Sequence, residues 1–157
     1  MSTQEALDQA HQELKRADHS IAVSLKYTRT VDVIKSIIDR LINTISFGFD
    51  TLLTHAKEEK KIDEIPTLPR LKIEMLNTHY PEDETIQHFI QFFQLLRRIN
   101  KAQFTRKQEY RRHVTMTATL DDGTQVQITI DIITDYFDRT NEFLRYIYSL
   151  YKPDDDE

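Results

Sequence analysis

The apolar residues of this chain recur at steps of three and four over most of its length, then at steps of two over one short stretch. No other feature constrains the fold as much, because a period near 3.6 belongs to a helix face and a period of 2 to a strand face. Ala6, Leu7, Ala10, Leu14, Ala17, Ile21 and Leu25 mark a first helix over residues 3–26. Val33, Ile34, Ile37, Ile38, Leu41, Ile45, Phe49, Leu52 and Leu53 mark a longer one ending at about Lys61. Thr28 and Thr30 are candidate N-caps for it, and Asp32 falls in its first turn, where the helix dipole favours an anion. Gly48 interrupts the stripe at up to about 1 kcal/mol relative to Ala, marking a bend or a close helix crossing. Pro69 opens a short helix to about Asn77, and Pro81 opens another whose inward face is Ile86, Phe89, Ile90, Phe93, Leu96 and Ile99. The last helix, residues 131–151, turns Ile133, Phe137, Thr140, Phe143, Leu144, Ile147 and Leu150 inward.

The period of 2 falls between the last two helices. Val114, Met116, Ala118 and Leu120 alternate with threonines, and Val126, Ile128 and Ile130 alternate with Gln125, Gln127 and Thr129. These are the arms of a β-hairpin around Asp121-Asp122-Gly123. A two-residue turn would mix the faces. A three-residue loop places Ala118 opposite Val126, Met116 opposite Ile128 and Val114 opposite Ile130, with Gly123 in the left-handed position. The expected fold is therefore mainly α: an antiparallel four- or five-helix up-and-down bundle with one inserted β-hairpin at about 113–130. Residues 1–152 form one domain, and the acidic stretch 153–157 is expected to be a disordered tail.

Composition removes several classes of chemistry. The chain has no cysteine, so thiolate metal sites, disulfides and cysteine nucleophiles are excluded. Its only glycines are Gly48 and Gly123, which leaves no glycine-rich phosphate loop. The histidines show no HExxH spacing, and no metal or cofactor is expected. No apolar run of membrane-spanning length occurs, and the expected setting is cytoplasmic.

Against a net charge of −5, residues 97–113 (RRINKAQFTRKQEYRRH) carry seven of the twenty-one lysines and arginines and a single acid, Glu109. Arg97, Arg98, Lys101, Lys107, Arg111 and Arg112 are candidate phosphate contacts. Lys26, Tyr27, Thr28 and Arg29 crowd polar and aromatic groups at the first interhelical corner, where they form either an ordinary capping turn or a second patch of a phosphate groove, with Lys26 and Arg29 as its cations. Arg106 and His113 stand seven positions apart with Tyr110 between them. On a continuous helix the three would share a stripe about 10.5 Å long. His113 already lies at the strand entrance, so that stripe is conditional, and Arg106 is expected on helix or loop. Arg106 and His113 are the candidate catalytic pair, with Tyr110 in support. Surplus aromatic residues, among them Phe92, Tyr148 and Tyr151, suggest a homodimer interface between helices.

The layout resembles the HEPN superfamily of small helical bundles. The opening ALDQAHQELKRADHSIAVSLKYTRTVDVI is similar to the paired first helices of such domains. FTRKQEYRRH fits their arginine, four to six residues, histidine pattern at Arg106 and His113, and DYFDRTNEFLRYI looks like their closing helix. The hairpin is an addition to the usual all-helical core. The resemblance implies one of two classes of function. One is an RNA-binding or protein-interaction module without catalysis, including a partner of a nucleotidyltransferase. The other is a metal-independent endoribonuclease. In that second class Arg106 neutralises the scissile phosphate and His113 moves the proton, the two meeting their counterparts across a dimer interface.

Overall fold

The computed structural model describes residues 1–151. The expected acidic tail lies outside the described residues. Helix α1 (Thr3–His19) opens with a capping box: Ser2 Oγ accepts from the Glu5 amide at 3.1 Å, and the Glu5 carboxylate accepts from the Ser2 amide at 2.8 Å. The helix continues through a π-helical turn, Ser20–Ser24, into a last turn at Leu25–Tyr27. This wide turn has a packing reason. Eight residues of straight α-helix would leave Ala17 and Leu25 about 80° apart. The wider turn, closed by the Leu25 amide donating to Ser20 O, lets both residues sit fully in the core.

Helix α2 (Val31–Glu58) is the longest element and packs against every other helix. Thr30 caps it by accepting from the Val33 amide at 3.3 Å. Glu58 accepts from Thr3, and the buried Glu13 accepts from Arg40 at 3.1 Å and Asn43 at 3.0 Å, so α1 runs back along α2 in the opposite direction. Gly48 marks a close crossing: a Cβ there would stand 2.8 Å from the Phe143 ring and 3.0 Å from Ile147. At its C-terminus α2 closes with Lys60 at φ 63°, where the Lys61 amide donates to Ala56 O and the Lys60 amide to Lys57 O. That pair of bonds is a Schellman cap built on a lysine in place of the usual glycine.

Helices α3 (Pro69–His79), α4 (Glu84–Lys101) and α5 (Ile130–Tyr151) complete the helical layer. Aromatic rings of α4 and α5 meet α2 in the core, with Phe49 edge-on to Phe93 at 5.1 Å and to Phe143 at 5.6 Å. The aromatic surplus read from the sequence is largely consumed inside the chain. Phe92, expected to depart from the inward stripe, is buried edge-on to Tyr136 at 5.4 Å. Leu150, expected inward, is exposed because α5 has passed the end of the core by that point.

Between α4 and α5 lies a three-stranded antiparallel sheet in the order β1-β2-β3, formed by Gln103–Lys107, Thr115–Thr119 and Gln125–Ile128. Met116 pairs with Ile128 and Ala118 with Val126, the register that puts every apolar side chain on one face. Leu120 and Thr124 bracket the three-residue loop, and Gly123 takes φ 86°. Two expectations need correction. The pairing does not reach Val114 and Ile130, because Ile130 already begins α5. The hairpin also gains a third strand: β1 pairs with β2 through Phe104–Ala118 and Arg106–Met116, so Arg106 stands on a strand, neither helix nor loop. The ladder explains this outcome. β2 would otherwise leave a row of unpaired amides and carbonyls, and a strand whose outer positions are Thr105, Arg106 and Lys107 satisfies it while resisting further pairing.

Candidate nucleic-acid interface

The basic segment 97–113 is divided by the fold. Its first part, Arg97, Arg98 and Lys101, ends α4 and lines a shallow groove with Gln91, Gln94 and Leu95. Arg98 is tied to the hairpin loop, 2.9 Å from Asp121 and 3.3 Å from Asp122, and these hydrogen bonds hold its guanidinium further above its ordinary pKa. Arg97 lies 5.8 Å from the centre of the Phe93 ring. β1 then carries the chain along the sheet, so that Lys107, Arg111, Arg112 and His113 emerge at the far end. Over four residue steps that separation is roughly 13 Å.

Arg106, in the middle, is structurally committed. Its guanidinium stands 2.9 Å from Asp32 and 3.5 Å from Glu109, and 5.2 Å over the Phe104 ring. The hydrogen bond that it donates to Asp32, with the second carboxylate behind it, raises its pKa above the ordinary value. Glu109 also accepts from the Val31 amide at 2.9 Å, satisfying one of the open donors at the start of α2. The clamp therefore fastens the sheet to the first turn of the central helix. His113 shares no helical stripe with it, because a strand and a turn separate them. The His113 ring is exposed and forms no ion pair among the described residues.

What the fold does bring together is the turn 108–114 and the corner after α1, which lie some eighty positions apart in the chain. The Tyr110 amide donates to Arg29 O at 2.6 Å. The turn is held by further bonds from the Arg111 amide to Gln108 O and from the Val114 amide to Arg111 O. Gln108 and Tyr110 both take positive φ, 59° and 68°, a conformation that costs a side-chain-bearing residue about 1 kcal/mol or more. On this joined surface Lys26, Lys107, Arg111 and Arg112 are exposed, and none forms an ion pair among the described residues. Arg29 is half-buried, and its Nε is enclosed without a hydrogen-bond partner among the described residues. The acids nearby, Asp32 and Glu109, are both spoken for by Arg106.

Tyr27, which the sequence placed in the crowded corner with Lys26, Thr28 and Arg29, completes the surface. Its ring is exposed, with the Lys26 ammonium 5.8 Å over its face. Its neighbours Lys26 and Arg29 signalled a basic corner. The signal for the ring itself was only its place beside a charged turn, and exposure cannot be read from spacing. Among the described residues there is no group of three or more carboxylates and histidines placed to hold a metal ion, and no helix is long and apolar enough to cross a membrane. No family model, curated protein or solved structure matches the chain.

Proposed function

We propose that this chain is an HEPN-like helical bundle of up-and-down arrangement that binds RNA through the surface formed by Lys26, Tyr27 and Arg29 with Lys107, Tyr110, Arg111, Arg112 and His113. The observation that carries this reading is the hydrogen bond from the Tyr110 amide to Arg29 O, which merges two cationic, tyrosine-bearing segments into one face of an acidic protein. Five cations without carboxylate partners among the described residues concentrate positive potential on one surface of a chain that is negative as a whole. Phosphates are the polymer-borne groups that such a surface attracts, with affinity set by counterion release. Binding is favoured over cleavage by Arg106 and His113, because the Arg106 guanidinium is already engaged by two carboxylates.

The test is RNA affinity at about 50 and 200 mM salt, for which three to five phosphate contacts predict a loss of roughly 20- to 100-fold. Replacing Arg111 and Arg112 together by alanine should weaken binding about tenfold at the lower salt and flatten the salt dependence. Substitution of His113 by alanine should change little. Salt-independent affinity, or a double variant that binds like the parent, would overturn the reading in favour of a protein-interaction surface. Strand scission in the presence of a chelator that disappears in the His113 variant would instead establish an endoribonuclease.

A further inference from the structure

Tyr27 and Tyr110, at 76% and 77% relative exposure, are the two most exposed large apolar side chains among the described residues. They belong to the two segments joined by the Tyr110–Arg29 backbone bond. Neither hydroxyl makes a hydrogen bond among the described residues, and neither ring is packed against another aromatic ring. Folding does not account for them. Tyr110 is less accounted for still, because it holds a positive φ that asparagine or glycine would take at lower cost.

Their rigidity gives the exposure a meaning. The Tyr110 backbone is pinned by its bond to Arg29, and Tyr27 closes the final helical turn of α1. Each ring is therefore presented from a bonded backbone with cations next to it in the chain: Lys26 and Arg29 about Tyr27, Arg111 and Arg112 after Tyr110. A stacked duplex shows such a surface only phosphates and groove edges, and an exposed tyrosine face gains little there. An unpaired strand shows base faces, each of which can stack on a ring while the flanking phosphates meet lysine or arginine.

Resting on the reading of this surface as an RNA-binding one, we propose that its substrate is single-stranded, with bases stacked on Tyr27 and Tyr110 and the intervening backbone held by Arg29, whose guanidinium has no carboxylate partner among the described residues. Leucine substitutions separate stacking from charge, because Tyr27→Leu and Tyr110→Leu keep an apolar side chain and, at residue 110, the same backbone constraint. Fluorescence anisotropy with a labelled twelve-nucleotide single strand and a duplex of equal length is the measurement, with circular dichroism confirming that each variant is folded. The single strand should bind the parent at least tenfold more tightly than the duplex. Each leucine variant should lose about five- to tenfold on the single strand, little on the duplex, and keep the salt slope. Equal affinity for the two probes, or leucine variants that bind the single strand like the parent, overturns the stacking proposal. If the Arg111 and Arg112 variant is still impaired in that case, the broader RNA-binding reading survives. Absence of binding to either probe overturns both. A DNA strand of the same sequence bound as tightly as RNA would support the stacking proposal while removing the 2′-hydroxyl from the recognition.

Discussion

At the C-terminal end of α2, the Tyr151 hydroxyl lies 3.1 Å from the Tyr80 hydroxyl and its ring packs tilted against His55 at 4.1 Å, while Tyr146 donates to Asp83. At the N-terminal end of the same helix Tyr27 and Tyr110 stand in solvent with no bond on either hydroxyl among the described residues. One residue type is thus used in two ways within one fold. At the first end tyrosine joins helices, its apolar body packed and its polar tip satisfied. At the second it leaves both ring and hydroxyl available, amid cations. An aromatic surplus counted along the sequence suggested a dimer interface. In the fold Phe92 is internal and Tyr151 is bonded to Tyr80, Tyr148 stays exposed, and the two most exposed rings, Tyr27 and Tyr110, belong to the two basic segments that the Tyr110–Arg29 bond joins.

The contrast predicts that disturbance at the two ends should be felt in different quantities. The largest effect on stability should come from Asp83→Ala. Asp83 caps α4 by accepting from the Ile86 amide at 3.0 Å and also accepts from Tyr146, so its loss removes a cap and strands a hydroxyl. A cost of about 2–3 kcal/mol in chemical denaturation is expected, with RNA affinity unaltered. Tyr146→Phe should cost about 1 kcal/mol, whereas Tyr27→Phe should leave stability within about 0.5 kcal/mol of the parent.

The same end should carry a pH signature. Burial, followed by the hydrogen bond to Asp83, pushes the Tyr146 phenol up to about 12, and burial also raises Tyr151 beside Tyr80. The unfolded chain gives up these protons near pH 10, before the folded one does. Stability from these phenols is therefore full below about pH 10 and declines as pH climbs toward the folded values. Thermal denaturation between pH 9 and 11 should show this decline, and Tyr146→Phe should reduce its slope. One substitution should act with the opposite sign. Gln108→Gly relieves a left-handed residue without touching the ring of Tyr110, and should stabilise the chain by about 0.5–1 kcal/mol.

Much of this fold was legible in the sequence where a long period repeats. The stripe from Ile34 to Leu53 specified α2, Thr30 was one of two candidate caps with Thr28, and the alternation from Met116 to Ile128 specified a register. The register followed because only one loop length kept all apolar side chains on one face. β1 was not legible, because Gln103–Lys107 holds one large apolar residue, Phe104, and owes its extended form to hydrogen bonds supplied by β2. The π turn was equally hidden, since it arises from the need to return Leu25 to the core.

The candidate site was legible as composition and misread as geometry. The charge excess in residues 97–113 was visible, but a helix would have aligned Arg106 with His113. The strand turned Arg106 toward Asp32 and Glu109 instead, and the turn delivered Tyr110 to Arg29. Contacts between residues eighty positions apart leave no local pattern, so the joining of the two basic segments had to come from the structure.

The central claim is that the basic, tyrosine-bearing end of α2 meets RNA while the hydrogen-bonded tyrosine end serves the fold. Backbone amide chemical shifts recorded by NMR as a single-stranded RNA is added test this most directly. The account predicts that residues 26–29 and 107–113 shift together and saturably, with the amides around Tyr80, Tyr146 and Tyr151 unmoved. Shifts centred on those latter residues, or spread evenly along the chain, would contradict it.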